Sequence, residues 1–123
     1  MLHNPMVAAR VFKTAWFGKA ARKARIADTE LCKAVAQAMA GQADDLGGGV
    51  FKKRPGQNRY RSIFVARGGD YYVYVYLFAK QDRANINDAE LKVFRGLAAL
   101  YGAKTDAEIE AELAAGELME ICK

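Results

Sequence analysis

The chain has 123 residues, 52% apolar and 27% charged, with a formal net charge of +5, the profile of one soluble globular domain without room for a second full core. Two cysteines, Cys32 and Cys122, with no Cys-x-x-Cys argue against a disulfide scaffold and a structural zinc site. A single histidine, His3, leaves no material for Ser-His-Asp or Cys-His catalysis. No uncharged run approaches the roughly 20 residues needed to cross a bilayer. Met1 to Ala9 has neither the basic leader nor the apolar segment of a secretory signal, so none is expected.

Taken in chain order, Val7 to Lys13 reads as a short edge strand. From Thr14 to Ile26, Phe17, Ala20, Ala21 and Ala24 recur at helical spacing, with Lys19, Arg22 and Lys23 opposite. Asp28 reads as the N-cap of a second helix, whose stripe Leu31, Val35, Ala38 and Met39 ends at Gly41. The short link between the helices predicts an antiparallel hairpin. Gln42 to Gly49 reads as a loop. Val50 to Arg54 is a strand ended by Pro55-Gly56, and Tyr60 to Arg67 is the next. Gly68-Gly69-Asp70 then turns the chain into Tyr71 to Phe78, whose near-continuous apolar character predicts a central strand covered on both faces. After a polar loop, Asn87 or Asp88 with Glu90 starts a helix by a capping box, with Leu91, Phe94, Ala98 and Tyr101 as its stripe. Thr105 and Glu108 form a second box for an acidic helix running to about Ala115. The fold class expected is α+β: an N-terminal helix hairpin packed on a small antiparallel sheet, in the order β-α-α-β-β-β, followed by one or two C-terminal helices. Residues 1–123 form a single domain, with 105–123 an acidic C-terminal extension.

Charge is polarised along this plan. Residues 1–67 carry thirteen Lys or Arg against four acids, and residues 68–123 carry six against ten, which reads as a basic working surface and an acidic tail. The densest cluster is Lys52, Lys53, Arg54, Arg59 and Arg61. Trp16 and Phe17 read as packing residues and Cys32 as core. Tyr72, Tyr74 and Tyr76 share one face at period two, either as aromatic core beneath the hairpin or as a stacking platform for bases. Gly47-Gly48-Gly49 lacks the Gly-Lys-Ser/Thr ending and the following helix of a phosphate loop. It serves to turn the backbone into the strand.

Four short motifs in register, Phe12-Lys-Thr-x-Trp-Phe17, Leu46-Gly-Gly-Gly-Val-Phe-Lys-Lys-Arg54, Tyr60-Arg61 and Phe78-Ala-Lys-x-x-Arg-x-Asn-Ile86, make the chain resemble the RelE/HigB-like toxins of bacterial type II toxin–antitoxin systems, within the RelE/ParE superfamily. The resemblance covers about residues 10 to 100, and the acidic helix after Thr105 lies outside it. It implies a cytoplasmic endoribonuclease that cuts messenger RNA, usually in the ribosomal decoding site, and that a cognate antitoxin holds inactive. It also implies catalytic roles for Lys52, Arg54, Arg61, Lys80 and Arg83. Lys53, Arg59 and Tyr60 are the accompanying RNA-binding candidates. Where better-studied relatives carry a further Arg and a Tyr, this chain has Gln81 and Asn87.

Chemistry of that kind needs no metal or other cofactor if the RNA 2′-OH attacks the adjacent phosphate. A base removes the 2′ proton, a cation stabilises the phosphorane, and an acid protonates the leaving 5′-oxygen. With no histidine in the fold, lysine is the available base. Neighbouring cations and partial burial both favour a neutral amine, and Lys52 stands in the densest cationic stretch. Strand alternation puts Lys52 and Arg54 on one face and Lys53 on the other. Arg61 on the neighbouring strand can fork onto phosphate, and Lys80 or Arg83 can complete the cradle. The alternatives are a non-catalytic ParE-like toxin and a degenerate RNA-binding module on the same fold. The cationic cluster favours the nuclease; Gln81 and Asn87 favour the others. The acidic tail is either a solvated appendage or a cover folding back toward Lys52–Arg61.

Overall fold

The computed structural model describes residues 9–55, 59–67 and 70–123. His3, the start of the first expected strand, Gly56 and the Gly68-Gly69 turn lie outside the described residues. β1 (Arg10–Thr14) passes straight into α1 (Ala15–Ala24). Thr14 makes the corner: its backbone is extended and its hydroxyl accepts a hydrogen bond from the Phe17 amide. Arg25, at φ 59, ends the helix in the left-handed region, and α2 (Asp28–Met39) is the second arm of the hairpin. Asp28 is the first helical residue rather than the cap. The cap is Ala27, whose amide donates to the Glu30 carboxylate at 3.2 Å, while Asp28 is drawn away into an ion pair with Lys13 at 2.7 Å.

Among the described residues the sheet has six strands in the order β2-β3-β4-β5-β1-β6, with β2 (Asp44–Gly47), β3 (Val50–Lys53), β4 (Tyr60–Arg67), β5 (Tyr71–Ala79) and β6 (Leu118–Ile121). It is mixed, not wholly antiparallel, because β1 runs parallel to β5, a pairing that the intervening helices make possible. β1 is internal, because β6 takes the edge beside it. β2 was expected as loop: Asp-Asp-Leu-Gly has poor strand propensity, and its conformation comes from pairing with β3.

Helices cover both faces. On one face α1 and α2 bury Phe17, Ala21, Leu31 and Val35 against Phe64, Tyr74 and Leu77. On the other, α3 (Asp88–Ala103) and α4 (Asp106–Ala114) bury Phe94, Ala98, Tyr101 and Ile109 against Val50, Ile63, Val65 and Val73. β5 is the central covered strand, as its composition indicated. Its tyrosines do not share one face, however. Ile63 pairs with Tyr76 and Phe64 with Tyr74, so Val75 is an extra residue, and the bulge reverses the alternation. Tyr72 and Tyr74 join the α1–α2 side, whereas Tyr76 packs against the other cluster. Tyr74 is core: its hydroxyl donates to the Leu31 carbonyl at 2.7 Å, and burial pushes its phenol pKa up.

The acidic tail is neither an appendage nor a cover. Ile109 and Leu118 are fully buried, and β6 forms a four-residue ladder with β1. Arg10 donates to Glu120 at 2.9 and 2.8 Å and to Glu110 at 3.1 Å. Glu112 pairs with Lys104 at 2.9 Å, the Tyr71 hydroxyl donates to Asp106, and Glu108 closes the expected capping box with Thr105. β6 lies four strands from β3, about 19 Å at ordinary spacing, so the tail does not reach toward Lys52–Arg61. The cysteines also depart from expectation. Cys32 of α2 and Cys122, just beyond β6, form a disulfide. Only the return of the C-terminal strand past α2 brings together two residues 90 apart in sequence. No described helix is long and apolar enough to cross a membrane.

Candidate active site

Alternation and register assemble the cations. Val50 of β3 points into the α3 side and Phe51 packs against the α1–α2 side, so Lys52 follows Val50 and Lys53 follows Phe51. Lys52 pairs with Ile63 and Lys53 with Ser62, which brings Arg54 level with Arg61 one step further on. The Ser62 hydroxyl, fully buried, donates to the Lys53 carbonyl at 2.7 Å and clamps the strand end. Lys52, Lys53, Arg54 and Arg61 line one polar hollow of about 280 Å³ together with residues 41–44.

Within it, the Lys52 side chain is only 16% exposed and donates to Asn85 at 3.2 Å, with the Asp44 carboxylate 3.8 Å away. Arg61 donates to the Tyr60 carbonyl at 3.1 Å. Lys80 is not in this hollow. It lines a neighbouring one of about 620 Å³ with Arg59, Tyr60 and Gln81, where its amide donates to the Arg59 carbonyl at 2.8 Å. Of the eight candidates, four therefore meet in one place and three beside it.

Arg83 is different. Its guanidinium donates to both Glu90 carboxylate oxygens, one at 2.9 Å, and to the Asn85 carbonyl at 3.0 Å. It also lies 5.6 Å above the Phe78 ring centroid. Hydrogen bonds from Arg83 hold the Glu90 carboxyl below the usual carboxylate range, and the pair raises the Arg83 pKa. Glu90 is available because Asn87 caps α3, accepting from the Glu90 amide at 2.8 Å. Asn87 thus works as a helix cap.

Two site residues were not singled out from sequence. Asp44 sits in the segment read as loop. Asn85 stands inside the Phe78–Ile86 motif, which was its one available signal. Trp16 corrects a third expectation: it is 52% exposed, with one ring face stacked on Tyr76 at 5.3 Å, while Phe17 is buried as expected. The glycine run does turn the chain into β3. Gly49 has φ +82, and a Cβ there would lie 3.1 Å from the Ala66 carbonyl oxygen. Among the described residues no three His, Cys, Asp or Glu side chains gather to hold a metal ion.

The family model described as the RelE toxin of the RelE / RelB toxin-antitoxin system matches residues 9–121. The match includes α4 and β6, which the motifs had placed outside the shared region. No curated protein and no solved structure matches the chain.

Proposed function

Because the chain belongs to the RelE toxins of toxin–antitoxin systems, we propose that it is a metal-independent endoribonuclease that cuts messenger RNA on the ribosome, acting in the cytoplasm. The observation that carries this reading is the meeting of Lys52, Lys53, Arg54 and Arg61 in one hollow. Lys52, Arg54 and Arg61 share one face by alternation and register, and Lys53 borders the same hollow from the other face; positive charge gathered around one space suits a phosphate that gains negative charge as it reacts.

In this mechanism Lys52 first gives up an ammonium proton to solvent as it leaves Asp44, and the neutral amine then takes the 2′-OH proton. The 2′-oxygen attacks the phosphorus and the P–O5′ bond breaks, leaving a 2′,3′-cyclic phosphate and a 5′-OH. Arg54 and Arg61 hold the non-bridging oxygens. Lys80 donates the proton to the leaving 5′-oxygen, while Lys53, Arg59 and Tyr60 hold flanking nucleotides. Arg83, engaged by Glu90, positions the loop and takes no part in the proton transfers. Ribosome-bound message supplies the in-line geometry that the hollow does not impose by itself.

The test is Arg61→Ala in a ribosome-programmed cleavage assay. We expect a roughly hundredfold slower cut, about 3 kcal/mol of lost phosphorane stabilisation, with unchanged thermal unfolding. An undiminished rate would overturn the assignment. A second reading, an RNA-binding module without chemistry, draws on the engagement of Lys52 by Asp44 and Asn85. It predicts salt-sensitive ribosome binding with no cut message.

A further inference from the structure

β1 stops before β5 does. Their ladder runs from the Arg10–Tyr71 pair to the Lys13–Tyr74 pair, and Thr14 then turns the chain into α1. β5 continues to Ala79, pairing on its other side with β4 as far as Tyr60. Val75 to Ala79 therefore has no strand partner on the β1 side among the described residues. Apart from the Ala79 carbonyl, which accepts from the Asp82 and Arg83 amides, such an edge presents backbone N–H and C=O groups that water or another chain must satisfy.

The vacated lane is a groove of about 720 Å³. α1 forms one wall, with Trp16, Lys19 and Lys23 above the small Ala20 and Ala24. The β5 edge from Tyr76 to Ala79 forms the other wall. Lys19 and Lys23 are exposed, and no carboxylate of the described residues pairs with either. A half-exposed tryptophan beside unpaired cations is the composition of a protein-docking anchor.

We propose that this lane seats an extended segment of the antitoxin, which adds a strand of about five residues, roughly 17 Å, to the free edge of β5. Acidic side chains of that segment face Lys19 and Lys23, and an apolar one packs on Trp16. A peptide strand matches alternate donors and acceptors along the edge. An RNA backbone presents phosphate acceptors at every repeat and leaves the edge carbonyls largely unanswered. The seated strand would lie against Tyr60 and Arg83, which line the same groove, and Tyr60 also lines the Lys80 hollow. Inhibition would then come from blocking RNA entry, with no displacement of the catalytic cations. The proposal rests on the chain being a toxin with an antitoxin partner and is independent of its nuclease chemistry.

Amide hydrogen exchange on the chain, alone and in complex with its co-expressed antitoxin, is the test. Those amides between Val75 and Ala79 that point away from β4 should exchange at least tenfold more slowly in the complex, with emission from Trp16, the single tryptophan, shifting on binding. Lys19→Glu with Lys23→Glu should weaken antitoxin binding at least tenfold at low salt, the gap narrowing as salt rises, while growth arrest persists. Protection confined to the β6 or β2 edge would overturn the proposal. So would single-stranded oligouridylate quenching Trp16 when the antitoxin leaves it unchanged, which would make the lane a nucleic-acid subsite. A chain that cut no RNA yet showed the expected amide protection would overturn the nuclease reading alone.

Discussion

Along α4 and β6, Arg10 bridges Glu110 and Glu120, Lys104 holds Glu112, Tyr71 holds Asp106, and Glu108 caps its own helix. Across the sheet, no carboxylate of the described residues lies in ion-pair range of Lys53, Arg59, Arg61 or Lys80. The two regions carry opposite charge and use it differently. Five of the tail's six acids are engaged by internal partners, which secure a strand at the sheet edge. Lys53, Arg59, Arg61 and Lys80 line open hollows and lack such partners among the described residues, the condition in which a site attracts an external anion. Uniform charge along a segment therefore says little about function until its internal partners are known.

The comparison breaks most visibly at the disulfide. Cys122→Ala, or reduction, should lower stability by up to about 4.5 kcal/mol, since the bond closes a loop of some ninety residues. Cleavage at a permissive temperature should survive, and urea unfolding with and without reductant measures the difference. Ile109→Ala should cost about 3 kcal/mol, because the side chain is fully buried in the α3–α4 core. An appendage would lose almost nothing, so a change under 0.5 kcal/mol on chemical denaturation would restore that view of the tail. Lys52→Ala should do the reverse of both, slowing cleavage by two orders of magnitude while shifting the melting temperature little.

The smallest effect concerns pH. The hydrogen bonds from Arg10 hold the Glu120 carboxyl below the usual glutamate range. A carboxyl depressed on folding stabilises the protein fully above its unfolded pKa, about 4.3. That contribution fades as pH falls through the lower folded value. Glu120→Gln should therefore cost about 1 kcal/mol at pH 7, with parent and variant converging in stability below pH 4. A constant gap from pH 7 to pH 3 would assign the effect to packing.

Much of the secondary structure was legible because its signals are local. The capping boxes at Asn87–Glu90 and Thr105–Glu108 are four-residue patterns whose side chains bond their own backbone. The α1–α2 hairpin follows from apolar spacing and a short link. β2 was not legible, because Asp44 and Asp45 contradict strand propensity and only the β3 partner holds them extended. β6 lies in the last residues of a tail dominated by acids, and nothing near it announces β1 as its partner.

At the site, sequence alone determined which cations are available and that Lys52 and Arg54 lie two residues apart, although β3 ends at Lys53, just before Arg54. The tertiary structure decided which of them meet. The β3–β4 register joins Arg61 to Arg54, Lys80 falls in the next hollow, and Glu90 takes Arg83 once α3 has docked. It also decided the tyrosines, because one bulged residue at Val75 sends Tyr76 to the face opposite Tyr74. The unpaired edge of β5 belongs to the same class of fact, since a free strand edge exists only relative to a neighbour that stops. Local patterns set what each segment can be. Register, bulges and chain reversal set which side chains share a space, because those depend on contacts between residues far apart in the chain.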